Sequence, residues 1–231
     1  MRIRQYLKEK NGKRVHEIAQ IETAVTSEYS DSDPYFGLDS ISSASSIVTP
    51  STIGIEGVSG SARVLSEGTV ISKLRPYLNK VTYIPAEYDG ALGSTELFCI
   101  KPKDNVSGWF LYGVLKLDST IRQLNPISTG STHPRVSRED ILELMIPWIE
   151  DHQSLGQQLE AAQEGYFLSE RLTTGAKLLV EALIEGKLSE ADLKAAQEDL
   201  ERDDTALDRE ILARLTRKGI DCPKEPPLFP D

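Results

Sequence analysis

The chain has 231 residues, 39% of them hydrophobic, which suits one large domain, or one domain with an appendage, around a packed core. No apolar run approaches the roughly 20 residues a membrane helix needs, and the basic start MRIRQYLKEKNGKRVHEI has no apolar stretch behind it, so neither a membrane span nor a signal peptide is expected. A net charge of −10 argues, taken whole, against a nucleic-acid partner, but the charge is uneven: residues 148–231 hold 10 Lys+Arg against 19 Asp+Glu, while residues 73–138 hold 9 against 5.

The acidity therefore lies in the C-terminal third and the middle is mildly basic, which points to two functional regions. Cys99 and Cys222 stand far apart with no CxxC or Cys/His partner. They read as reduced thiols of a cytoplasmic protein with no metal site. His16 and His152 are isolated and lack metal-ligand spacing.

In chain order, residues 1–148 read as short strands divided by turns. GTVISKL, KVTYIPA and ELFCIKP are β-branched or aromatic runs bounded by Gly, Pro or Asn. Within ISKLRPYLNKV, strand alternation places Lys73 and Arg75 on one face, with Lys80, Tyr77 and Asn79 nearby. Pro76 makes this a strand end or edge. Paired cations with an aromatic and an amide suit a phosphate backbone. A plain solvated strand face accounts for the same residues. In GALGSTELFCI, Glu96 can cap, accept from a cytosine amino group, or pair with Lys73 or Arg75, and pairing is the expected role. SGWFLYGVLKLDSTIRQLN suits one amphipathic helix starting near Ser107.

ISTGSTHPRVS follows. Gly130 lets the backbone take positive φ and approach a ligand. Thr129, Ser131 and Thr132 offer hydroxyls, and His133 and Arg135 flank Pro134. Such a loop can bind phosphate oxygens or reach base edges, and it can equally be a bare turn. Ser131 with His133 as nucleophile and base would need an orienting acid and an oxyanion hole. No GxSxG elbow or GxxxxGK[ST] phosphate loop is present. No catalytic residue and no cofactor are assigned. Ser137 with Asp140 forms a capping box for a short helix, and IPW closes the region as an extended piece. The class is α+β, with a curved mixed or antiparallel sheet and short helices.

From residue 150 the grammar changes to a long helix of about ten turns and ~50 Å, spanning the segment 149–186 and stopping at Gly186. Its seam is read as Leu155, Leu159, Ala162, Tyr166, Leu179 and Leu183, and so narrow a stripe needs a partner helix. Gly156, Gly165 and Gly175 weaken it by about 1 kcal/mol each. Residues 187–231 form an acidic extension. Ser189 and Asp192 box its first helix, and LSEADLKAAQEDLE with ALDREILARLTRKG reads as a helical hairpin.

Taken in order, VISKLRPYLNKVTYIP, GSTELFCIKP, a helix ending IRQLN, and STGSTHPRVSREDILELMIPWIEDHQSLGQQLE resemble the specificity (S) subunit of type I restriction–modification systems over roughly residues 15–185. The resemblance implies a target-recognition domain that reads double-stranded DNA in the major groove. It implies a spacer and dimerisation helix that docks a methyltransferase (M) subunit, and methyl transfer and cleavage on other chains, including a restriction or translocase subunit. A full S subunit carries two recognition domains and two helices. This chain resembles a half, which implies a homodimer or pairing with a second S-like chain. The DNA contacts expected are Lys73, Arg75, Lys80, Thr129, Gly130, Ser131, Thr132, His133 and Arg135. The rival from another class is a protein–protein scaffold or inhibitor whose acidic tail docks a DNA-binding partner.

Overall fold

A computed structural model describes residues 2–30, 32–43, 48, 58 and 60–200. The second half of the expected hairpin, residues 206–219, and Cys222 lie outside them. The chain divides into two compact units, residues 1–163 and 164–231.

The first unit is α+β. Its main sheet orders strands β2 (Ala19–Glu22), β9 (Leu97–Pro102), β6 (Gly68–Ser72) and β7 (Val81–Ile84), all antiparallel. All five residues of β6, GTVIS, are buried, because this strand lies between β9 and β7 with a packed layer on each face. Helix α3 (Gly108–Lys116) covers one face, bringing Phe110, Leu111 and Leu115 against Ile71, Val81 and Ile100. Behind the other face, Val70, Leu97 and Cys99 join Phe36, Ile41 and Leu65 in a second core. A smaller sheet orders β3 (Val25–Thr26), β5 (Ala62–Val64), β8 (Leu92–Gly93) and β4 (Tyr35–Phe36), with the β4–β8 pair parallel. The sheet composition is thus mixed, as expected from the runs of β-branched residues.

Helix α3 begins where expected: Ser107 is its cap, the hydroxyl accepting from Phe110 N at 3.2 Å. The sequence predicts one helix over 107–125, but the structure has two, α3 and α4 (Asp118–Leu124). Leu117 between them is extended, with φ −64° and ψ 146°. The Thr120 hydroxyl donates to Val114 O at 3.0 Å, taking a carbonyl that a continuous helix would offer to residue 118. The turn lets Gln123 face inward, where its amide bonds both the N–H and the carbonyl of Met145. Met145 and Ile146 form β10, paired with β1 (Lys13–Arg14), which lies between helices α1 (Arg2–Glu9) and α2 (Val15–Ile18). The Ser137–Asp140 capping box starts α5 (Arg138–Leu142) as read from the sequence.

Helix α6 runs His152–Ile184, 33 residues. Its first turns belong to the first unit. His152 is buried against Phe110 and Trp148, Lys13 Nζ sits 3.6 Å over the Trp148 ring, and Leu155 packs on the core. This is why the compact units divide at 163/164 and not at 148/149, where composition changes. Gly156 has a packing reason that its helix propensity hides: a Cβ there would lie 1.9 Å from Ser107 Oγ and 2.8 Å from Ser107 Cβ. Gly156→Ala is therefore expected to lower stability by about 1–3 kcal/mol through overpacking and loss of the Ser107 cap. Gly165→Ala, whose Cβ would meet nothing within 4 Å among the described residues, is expected to raise it by up to about 1 kcal/mol. Thermal melts of the two variants check both signs.

In the second unit the α6 remainder ends as expected at Gly186, with Gly186 N–H bonded to Leu183 O and Lys187 N–H to Ala182 O. The Ser189–Asp192 box, with Oγ to Oδ2 at 2.7 Å, opens α7 (Glu190–Leu200). No helix among the described residues is long and apolar enough to cross a membrane.

Candidate nucleic-acid interface

Strand β6 ends at Ser72 because the Ser72 hydroxyl caps the chain beyond it, accepting from Leu74 N at 3.1 Å and donating to Leu74 O at 2.9 Å. Lys73 and Arg75 thus lie past the strand, and the alternation that put them on one strand face does not extend to them. Pro76, which lacks an N–H, opens a 3₁₀ turn over Pro76–Leu78. Arg75 just before it is left-handed, with φ 51° and ψ 63°. Holding a non-glycine residue there costs roughly 1–3 kcal/mol, and such strain persists where surrounding contacts over-determine it.

Those contacts are backbone bonds to two distant segments. Lys73 N donates to Glu96 O at 2.9 Å, Val136 N to Lys73 O at 3.1 Å, and Arg75 N to Pro134 O at 2.7 Å. The two stretches that sequence reading singled out separately, KLRP and TGSTHPRVS, therefore share one short ladder, with the Glu96 segment on the other side of Lys73. The loop is closed at its base by Thr129 N to Arg135 O and Arg135 N to Thr129 O, both 2.8 Å. Gly130 has φ +99°, and a Cβ there would come within 3.2 Å of the His133 carbonyl. Thr129, Gly130, Ser131, Thr132 and His133 are all exposed.

The cations divide into two groups. Lys80 turns inward and donates to the Leu38 carbonyl. Lys116, half-buried, donates to the carbonyls of Ser42, Asn79 and Val81, and burial pulls its pKa down to about 8. These two amines fasten backbone. Lys73, Arg75 and Arg135 stand on the ladder itself. The Lys73 ammonium lies 5.7 Å from the centre of the Phe98 ring. Arg75 Nε is buried with no hydrogen-bond partner among the described residues.

Glu96 pairs, as expected, but with Arg135 and not with Lys73 or Arg75: the Arg135 Nε to Glu96 Oε2 distance is 3.1 Å. This carboxylate holds Arg135 and raises its pKa, so it does not orient His133 as a catalytic acid would. No group of side chains among the described residues has the composition and closeness of a metal site.

Sequence reading missed Arg63. It is buried, yet its guanidinium reaches no carboxylate among the described residues and instead donates to Leu97 O at 3.0 Å, Ala24 O at 3.4 Å and Thr95 O at 3.5 Å. The signal was a lone arginine inside the apolar run ARVL. Of the expected helix seam, Leu155 and Leu159 face their own domain, Leu159 meeting Gly113 of α3. Ala162, Tyr166 and Leu179 are exposed and Leu183 is half-buried.

No family model matches the chain, and no curated protein matches it. Solved structures do. One, described under complex assembly and conformational transition of the type I R-M system, is 24% identical with a TM-score of 0.50, covering 78% of this chain and 49% of that one. The HsdS subunit from Thermoanaerobacter tengcongensis is 22% identical with a TM-score of 0.49, over 78% of this chain and 48% of that one. The type-I restriction–modification S subunit from M. genitalium is 14% identical with a TM-score of 0.47, over 90% and 49%. The chain spans about half the length of these structures. The first of them supports a shared fold.

Proposed function

We propose that this chain is the DNA-recognition subunit of a type I-like restriction–modification or related phage-defence complex, in a form that carries one recognition domain. It binds a duplex site and directs partner methyltransferase and nuclease subunits to it, while the chemistry resides in those partners. The observation that carries this reading is the ladder. It joins the backbone that carries three cations, Lys73, Arg75 and Arg135, to a run of exposed hydroxyls, from segments about sixty residues apart. Cations that position a duplex beside donors that reach base edges are the two ingredients of specific binding. The basic middle of an otherwise acidic chain coincides with this surface.

The likeness in fold to a structure from the type I R-M system supports the same reading, as does the half-length coverage, which suits one recognition domain where a full subunit has two. The second half-site then comes from a second copy or from another S-like chain, joined through α6, and the same helix receives the M subunit.

The test is selection of duplexes from a random library by the full chain, alone and co-expressed with its host's methyltransferase subunit. Enrichment of one short sequence supports the reading. Equal recovery of all sequences, or no retained duplex in either form, refutes it.

A further inference from the structure

Arg135 is held on two sides. Its Nε donates to Glu96 Oε2 at 3.1 Å and Oε1 at 3.3 Å, and its Nη2 to Glu96 Oε1 at 3.1 Å. Its Nη1 donates to the His133 carbonyl at 3.1 Å. A guanidinium carries five N–H donors in one rigid plane, one on Nε and two on each terminal nitrogen. These contacts use one on each nitrogen. One N–H on Nη1 and one on Nη2 remain, on a side chain that is 46% exposed.

The bracing is itself fixed. Glu96 N donates to Ser94 Oγ at 3.2 Å, and Glu96 O accepts from Lys73 N at 2.9 Å. The carbonyls on either side of it, of Thr95 and Leu97, accept from the buried Arg63 guanidinium. The Glu96 side chain is only 23% exposed. The His133 carbonyl lies across the turn from Gly130, whose φ is +99° and where a Cβ would come within 3.2 Å of that oxygen. An ordinary surface ion pair swings freely and does little. This one sets the plane of Arg135.

From this we infer that Arg135 is the specificity-determining residue of the loop. It presents its two free N–H groups to the paired acceptors N7 and O6 of a guanine in the major groove, with Glu96 as the positioning residue that fixes its plane. The inference rests on the DNA-recognition reading above. Two oxygens of a phosphate offer the same pair of acceptors. A phosphate, however, accepts from many directions, whereas a base edge accepts only in its own plane, and a guanidinium braced in one plane suits the base.

The probe is the duplex enriched by the full chain, with each guanine replaced in turn by 7-deazaguanine, which removes N7 and leaves every phosphate in place. One position is expected at which this replacement weakens binding roughly tenfold. Arg135→Ala should bind the unmodified duplex correspondingly more weakly and show no further loss at that position. Glu96→Gln should lose most of the discrimination at that one guanine, read as the ratio of its affinities for the normal and the 7-deazaguanine duplex, with its melting temperature kept. Tolerance of 7-deazaguanine at every position, with Arg135→Ala flattening the salt dependence by about one unit, would make Arg135 a phosphate ligand and overturn the guanine assignment. Full discrimination in Glu96→Gln would overturn the positioning role. A wild-type chain that enriches no sequence removes the DNA-recognition reading first, a result distinct from either.

Discussion

Replacing Lys73 and Arg75 together by Ala is expected to flatten the salt dependence of duplex binding by about two units, since each phosphate contact contributes a slope of about 0.9. Between 50 and 200 mM salt that difference amounts to roughly tenfold in affinity. These two are chosen because neither is paired with a carboxylate among the described residues, whereas Arg135 is taken by Glu96 and Lys80 by the Leu38 carbonyl. The loss should fall alike on all sequences, because phosphates carry no base identity. Arg75 needs a second variant. Its φ of 51° is as costly for Ala as for Arg, whereas Gly adopts it without strain. A weakened Arg75→Gly chain with an unchanged or raised melting temperature would place the loss in the side chain. Anisotropy titrations at four or more salt concentrations measure the slope. An unchanged slope in the double variant would mean that these cations do not meet phosphate.

What could be read in advance here was whatever is decided within a few residues. The boxes Ser137–Asp140 and Ser189–Asp192, the cap at Ser107 and the stop at Gly186 are local bonds between near neighbours, and each forms where the sequence places it. The strands around GTVIS, VTYI and LFCI likewise follow from runs of residues that fit a pleated, buried surface. The break at Leu117 was not legible. The apolar period continues through it, and the break coincides with the Thr120 hydroxyl on the Val114 carbonyl and with Gln123 bonded inward to Met145. The Glu96–Arg135 pair joins residues 39 apart, and Arg63 reaches Leu97 across 34. No local pattern specifies which cation a carboxylate will meet at such separations. Gly156 misled in the opposite sense. Its helix propensity marks it as a weakness, while its neighbours Ser107 and Phe110 make its missing Cβ the condition for α3 and α6 to touch. The seam divided for the same reason: apolar spacing along α6 does not say which apolar residues its own domain will claim.

That division leads to the second large effect. If α6 is the joint that the proposed function requires, replacing Leu172 and Leu179 together by Glu is expected to release the partner helix from it. In the second unit, Leu168 is 52% exposed, Leu172 66% and Leu179 37%. With Gly165 and Gly175, where an added Cβ would meet nothing within 4 Å among the described residues, these leucines fall within an arc of about 80° at 3.6 residues per turn. Their steps alternate three and four, the spacing of a helix that packs against another helix, and the glycines among them permit close approach. Burying a leucine contributes about 2 kcal/mol, so losing two removes about 4 kcal/mol, close to a thousandfold in association. Glu is a good helix former, so α6 should persist and the first unit, whose contacts end near Gln163, should melt unchanged. Light scattering of the full chain reads the effect on pairing between copies, and co-purification with the methyltransferase subunit reads the effect on the partner. A drop to monomer mass assigns the stripe to a second copy. Loss of the methyltransferase at unchanged mass assigns it to that subunit. Retention of both would mean that the exposed leucines of α6 are not the joint.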